Sequence, residues 1–450
     1  MRTVDRKRVE TLMKKEVEQF LKNHQKSKSL FERAKNSLLA GVPMNWMVRW
    51  AGPFPVFVDE AKGTYITDVD GNRYLDLCLG DTGSMFGHSP DQVVKAISRQ
   101  AKKGITMMLP TEDSVWVGEE LARRFGLPYW QVAMTATDAN RFSIRLAREV
   151  TKRSKILVVS GCYHGTVDES LINLHKGRVV PRGGNIGPPV DPSVTTKAIE
   201  FNDVPALEKA LSPRDVACVL VEPAMTNRGI ILPDSGYHDA LRSLTRKYGT
   251  LLIIDETHTI CCGIGGYTRE YGLKPDIVTM GKPLASGVPV AAFGISQYVS
   301  DRVMERILSD GTDESGLGGT LTGNALAVAA MRASLKHIIT ERNFARMIPL
   351  AERFEKGVAD VIREEKMPWH VTRLGVRIEY HFMARAPRNG AEADAAKDSE
   401  LEKLMHLMAL NRGILMTPFH NMALISPYTT KRDVDRHTEV FRECVRELVS

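Results

Sequence analysis

Cysteine is scarce in this chain: six in 450 residues, with no CxxC spacing among them. That pattern excludes a disulfide framework and argues against a structural zinc site. Several of the six sit in apolar runs, which leads us to expect buried, reduced thiols and a cytoplasmic protein. No run approaches the roughly 18 apolar residues of a membrane span. The amino terminus is too charged for a secretory signal and lacks its apolar stretch. No G-x-G-x-x-G follows an early strand, which argues against a nicotinamide oxidoreductase. Aromatic residues make up only 7% of the chain.

Charge of one sign is also in short supply. The 61 basic and 54 acidic residues leave a net charge of +7. Most of that excess lies in the first 28 residues, where nine basic residues face Asp5, Glu10, Glu16 and Glu18. Phe20 is the only aromatic among them, too few for a base-stacking platform. A solvated helix is expected there in preference to a nucleic-acid contact.

Residues 1–40 read as charged helix. From about Val56 the stretch VFVDEAKGTYITDVDGNRYLDLCLG alternates apolar and polar residues around a turn at Asp70–Asn72, a meander of short strands. Apolar runs then recur at 155–159, 217–221, 251–254, 276–280 and 290–295, most of them separated by stretches long enough for helices. Such runs suit a mainly parallel sheet covered by helices. We expect an α/β chain in three parts: an arm at 1–59, a large domain at 60–305 and a smaller α+β domain at 306–450. Two segments stand apart. Gly177–Val194 holds four prolines and four glycines and reads as a long loop, usually a functional feature. Residues 384–399 are small and polar and read as an exposed excursion.

Four short motifs carry chemistry. Asp255 ends the run LLIID, so a parallel sheet delivers it to the edge where ligands bind. Lys282 follows the next run and faces the same edge, where a lysine can act as a nucleophile toward an aldehyde. Thr135, Ala136 and Thr137 precede an amphipathic helix, whose amino terminus can offer N–H groups to a phosphate. SGCYHG places Tyr163 and His164 after another strand, and an aromatic there can stack on a flat heterocycle. Each has a plainer reading alone: a helix cap, a surface lysine, an ordinary Thr cap, a packed Tyr–His corner. Together they describe a pyridoxal phosphate site.

With GNRYLDL, FGHSP, YHG, EPAMTNRGIILP, DETHT, GKPLASGVP and GGTLTGN in order, the chain resembles the class III (subgroup II) aminotransferases of fold type I. The nearest flavour is that of glutamate-1-semialdehyde aminomutase and its relatives acting on β-amino acids or amines. The resemblance covers about residues 36–445. It implies pyridoxal 5'-phosphate as cofactor, bonded to Lys282, with Asp255 as the partner of its ring nitrogen. Tyr163 would stack on one ring face and Thr257 on the other. His258 stands where the family often has a glutamine reaching the ring hydroxyl. Ala136 and Thr137 match the phosphate-holding pair, Thr320 a phosphate contact given by the neighbouring subunit, and Glu222 a site-organising carboxylate. A homodimer is thereby implied. The chain also departs from the pattern: Ala136 replaces a glycine, Ile260–Cys262 replace Gly-Phe-Arg, and Ala325 replaces a proline.

The implied reaction is ping-pong transamination between an amine or amino acid, including β-amino acids, and a keto acid or ketone. Intramolecular amino transfer, racemisation and decarboxylation are the alternatives on the same cofactor. Arg49 is the candidate carboxylate clamp, since a guanidinium fork suits bidentate binding. Arg377 is a second candidate, although nearby Glu379 could pair with it.

Overall fold

The recurring apolar runs become strands of one seven-stranded sheet: β1 (Tyr129–Ala133), β2 (Lys155–Val159), β3 (Thr196–Ile199), β4 (Val216–Val221), β5 (Leu251–Asp255), β6 (Ile277–Met280) and β7 (Ala291–Ile295). The computed structural model describes residues 4–187, 190–307 and 316–450. Strand order is β1-β7-β6-β5-β4-β2-β3. β7 runs antiparallel to both its neighbours, and the remaining pairs are parallel. Every residue of β4 and β5 is buried, so both faces of the sheet are covered and neither strand alternates. Ile156, Val158, Leu220 and Ile253 pack into a core with Ile144 and Ala147 of the helix Ala136–Thr151. That helix begins three residues after β1, so its amino terminus lies at the carboxyl edge of the sheet. This is the doubly wound, fold type I arrangement that the sequence implied.

The sheet belongs to a unit of residues 91–341 and 387–395; residues 1–90, 342–386 and 396–450 form the other. These boundaries differ from the breaks expected after residues 59 and 305. The meander Val58–Lys62, Tyr65–Asp68 and Arg73–Asp76 leaves the large domain because its last strand pairs with Ile414–Leu415, through Leu75↔Ile414. Residues 325–337 join the larger unit because that helix packs on helices Asp91–Ala101 and Glu112–Phe125.

Three further expectations change. The amino-terminal arm is two helices, Arg6–Asn23 and Gln25–Ala34. Between them, His24 is fixed by a 2.6 Å contact from its Nε2 to the Tyr74 hydroxyl. Two of its basic residues pair within their own unit, Arg6 with Asp398 at 2.5 Å and Lys15 with Glu447 at 3.0 Å. The 177–194 segment starts with the second strand of a hairpin, Ile172–His175 with Arg178–Pro181, closed by a tight turn in which Lys176 and Gly177 have φ of 49° and 75°; Pro188 and Pro189 lie outside the described residues. The polar stretch 384–399 is mostly exposed, as expected, but it is anchored at its middle. Its middle forms a short helix, Gly390–Ala395, and a Cβ on Gly390 would stand 2.9 Å from the Ser160 carbonyl oxygen. No helix among the described residues is long and apolar enough to cross a membrane.

Candidate active site

Parallel strands deliver their following residues to one edge, and the larger unit collects its chemistry there. Asp255 is the last residue of β5, Lys282 follows β6 by two residues, Tyr163 and His164 follow β2, and Glu222 follows β4 directly. Asp255 is buried and heavily held. His164 Nδ1 lies 2.9 Å from its Oδ2, Asn140 Nδ2 donates to the same oxygen at 2.9 Å, and the Thr257 N–H donates to Oδ1 at 3.0 Å. Burial alone would raise the carboxyl pKa. The hydrogen bond and charge of His164 outweigh it and bring the group down to about 2. Burial likewise opposes a proton on His164, but neighbouring Cys162 and Asp255 raise its pKa well above the ordinary histidine range. Asp255 is therefore a fixed anion at neutral pH, suited to a protonated ring nitrogen.

Lys282 Nζ lies 2.9 Å from His258 Nε2. The lysine backbone has a φ of 47°, the left-handed region that a non-glycine residue occupies only when its surroundings impose it. Thr257 and His258 are both buried. Glu222 accepts from Thr226 Oγ1 at 2.5 Å and from Asn227 Nδ2 at 3.2 Å, and burial raises its pKa.

Thr135 caps the Ala136–Thr151 helix by accepting from the Asp138 N–H at 3.2 Å. The first-turn N–H groups of Ala136 and Thr137 have no partner within the helix, as at any helix start. Two glycines press against this terminus. A Cβ on Gly165, where φ is +83°, would stand 2.1 Å from Thr137 Oγ1. A Cβ on Gly281 would stand 3.0 Å from the Ala136 Cβ. The missing side chain at Gly281 thus provides room for the methyl group that replaces the family's glycine. A helix start, an ionised carboxylate and a lysine at one sheet edge are the donor set that a phosphorylated pyridine aldehyde requires, so the residues fit the cofactor that the sequence implied.

The family profile described as "Aminotransferase class-III" matches residues 46–445. The chain belongs to the class III aminotransferases. Its cofactor is pyridoxal 5'-phosphate. Among proteins similar to this class III chain is the glutamate-1-semialdehyde 2,1-aminomutase of Sulfurihydrogenibium azorense, 35% identical over 434 residues that span 94% of this chain and 99% of that protein. A solved glutamate-1-semialdehyde-aminomutase from Pseudomonas aeruginosa PAO1 is 49% identical, covers 99% of each chain and superposes with a TM-score of 0.97. A lysine-to-alanine form of it has been solved in complex with PMP. An omega-transaminase from Sphaerobacter thermophilus is 26% identical over 94% of this chain and 98% of its own, with a TM-score of 0.85.

Not every residue singled out in the sequence gathers at this edge. Thr320 is an exposed turn residue of the larger unit. Arg49 is on the other unit, exposed, at the end of the short helix Asn45–Val48, whose Trp46 packs edge-on against Phe419 at 5.7 Å. Arg377 is fully buried, 4.0 Å from Glu379, which is the pairing that the sequence left open. Sequence reading missed Asn140, although a fully buried Asn beside Ala139 and Ser143 on the inner face of an amphipathic helix was the available signal. It also missed Arg182, which no motif marks, and Arg228, which lies within the run EPAMTNRGIILP.

Proposed function

We propose that this chain is an aminomutase: it moves an amino group between neighbouring carbons of one small, carboxylate-bearing amino acid or amino aldehyde. Substrate and product are then isomers, and no separate acceptor is consumed. The observation that carries this reading is the 49% identity, over 99% of both chains, with the Pseudomonas aminomutase. The curated relatives of the same name support it too. On these similarities it takes precedence over ping-pong transfer to a keto acid or ketone, the reaction that the family resemblance first implied.

Bound pyridoxal phosphate supplies an aldehyde for the amino group and a ring that accepts electrons from the reacting carbon. In this proposal Lys282 would hold the cofactor's aldehyde carbon and would carry the proton between each reacting substrate carbon and that cofactor carbon, with His258 as its hydrogen-bonding neighbour. Asp255 keeps the ring nitrogen protonated, and His164 and Asn140 keep Asp255 ionised and in place. Tyr163 and Thr257 cover the two ring faces. Ala136 and Thr137 hold the phosphate, Glu222 organises the edge, and Arg49 grips the substrate carboxylate. The protein acts as a cytoplasmic homodimer in which Thr320 of a second copy completes the phosphate site.

Acceptor dependence tests the reading. Isomeric product should accumulate over many turnovers without added keto acid. A reaction that halts after one turnover per site, leaving a keto product, would show a transaminase instead.

A further inference from the structure

Two arginines and an aspartate lie behind Tyr163, outside the set of residues assigned above. The Arg182 guanidinium stands over the Tyr163 ring, 5.5 Å from its centroid, and Nη1 donates to the Cys162 carbonyl oxygen at 2.6 Å. Arg182 is therefore tied to the residue before Tyr163 as well as to its ring. Burial, and then the like charge of Arg228, lower the Arg182 pKa, so a cation there is costly unless something offsets it. Asp394 supplies that offset through Arg228, whose Nη1 lies 3.0 Å from Asp394 Oδ1. The Arg228 stem reaches this position across Gly161, where a Cβ would come within 3.2 Å of Arg228 Cγ.

Asp394 arrives from far along the chain. The 387–395 segment docks on the larger unit through Gly390 on Ser160, and the Arg388 carbonyl accepts from Asn202 Nδ2 at 3.0 Å. An ion pair joins Arg388 to Asp234. A separate stretch of sequence is thus fixed with its carboxylate against the arginine pair.

We infer that Arg182 is a positioning residue that sets the plane of the Tyr163 ring, and that Asp394, acting through Arg228, braces it. This rests on Tyr163 being the ring-stacking residue of the proposed function. A cation over an aromatic face contributes most when it is partly desolvated, and two anchors leave the ring little freedom to tilt.

The test uses the holoenzyme with Arg182→Gln, Arg182→Lys, Asp394→Asn and the Arg182→Gln/Asp394→Asn double variant. Two readouts serve: the visible circular dichroism of the bound cofactor, and amide hydrogen exchange of residues 161–166. Arg182→Gln should at least halve the dichroism and raise the cofactor Kd roughly threefold to thirtyfold, and Arg182→Lys should restore most of both. Exchange at 161–166 should accelerate in Arg182→Gln and, less, in Asp394→Asn. The double variant should be no worse than Arg182→Gln, because one brace acts through the other. Unchanged dichroism in Arg182→Gln, or losses that multiply in the double variant, would overturn the inference. If the wild-type protein showed no cofactor dichroism, the functional reading would fail. The brace would still be judged by exchange at 161–166, and unchanged exchange in both single variants would overturn it. Should Arg182→Gln not fold, Arg182→Lys and Asp394→Asn decide by the same readouts.

Discussion

His164 Nδ1 lies 2.9 Å from Asp255 Oδ2, and both groups are buried at the carboxyl edge of the sheet. The pair holds a negative charge where burial alone would have removed it. From that pair follows a dependence of stability on pH. The folded pKa of Asp255, about 2, lies below its ordinary 3.8. A depressed carboxyl contributes stability above its unfolded pKa and loses it as pH falls through the folded one, so the window runs from about pH 4 down to pH 2. The contribution is about 2 kcal/mol. Asp255→Asn should therefore melt below the wild type at pH 6, with the gap closing as the pH is lowered toward 2. A gap that stayed constant with pH would show that the pair is not the source. Calorimetric melting at several pH values measures it.

Lys282 and His258 form the second pair, at 2.9 Å. Lys282→Ala should lower turnover by at least about a thousandfold, because the nucleophile and the proton carrier are the same group. His258→Ala should cost roughly tenfold to a hundredfold and leave cofactor binding within a few-fold. His258→Gln, the residue found at this position in much of the family, should recover most of that loss. Single-turnover kinetics with a parallel cofactor titration separate the two effects.

Gly165 can be replaced only with strain. A methyl there would meet Thr137 Oγ1 at 2.1 Å in a backbone region that favours glycine. Gly165→Ala should displace the helix start and weaken cofactor binding roughly fivefold to 150-fold, corresponding to the roughly 1–3 kcal/mol of an imposed strained conformation. Absorbance titration of the stripped protein with pyridoxal phosphate reads the loss.

Arg49 is exposed, and its proposed partner is a substrate carboxylate. Arg49→Ala should raise KM at least tenfold for carboxylate substrates, the loss of a charged hydrogen bond of about 1.5–3 kcal/mol, and change plain amines little. Equal effects on both classes would remove the clamp.

If Thr320 serves a neighbouring subunit, two inactive variants should complement. Refolding Lys282→Ala with Thr320→Glu in equal amounts should produce hybrid dimers with one intact site. Recovery should then approach about a quarter of wild-type activity, the statistical share for a symmetric dimer. No recovery would place Thr320 in its own subunit's site, and an active Thr320→Glu variant by itself would place it outside any site.

Much of the larger unit was legible in the sequence. Runs such as ACVLV and LLII are apolar on both faces, and most are spaced widely enough for crossover helices, as in a mainly parallel sheet, which carries Asp255, Lys282 and Tyr163 to one edge. The division of the chain was less legible, because it depends on pairings distant in sequence. Leu75 with Ile414 moves the early meander into the other unit, and Gly390 against Ser160 brings a carboxyl-terminal segment onto the larger one. Neither leaves a local pattern. The fit of Ala136 was illegible for the same reason: its methyl is accommodated by the absent side chain of Gly281, 145 residues later in the chain. Arg182 and Arg228 take on a role only when the fold sets them beside Tyr163 and Asp394.

The most direct test of amino transfer within one molecule starts from the holoenzyme and a panel of small amino acids and amino aldehydes. The compound that bleaches its visible absorbance is then incubated at a hundredfold excess with no keto acid present. The account predicts many turnovers per site, up to the equilibrium between the compound and an isomer carrying the amino group on the adjacent carbon, with the protein returning to its starting spectrum. One equivalent of keto product per site, with the protein left bleached, would contradict it.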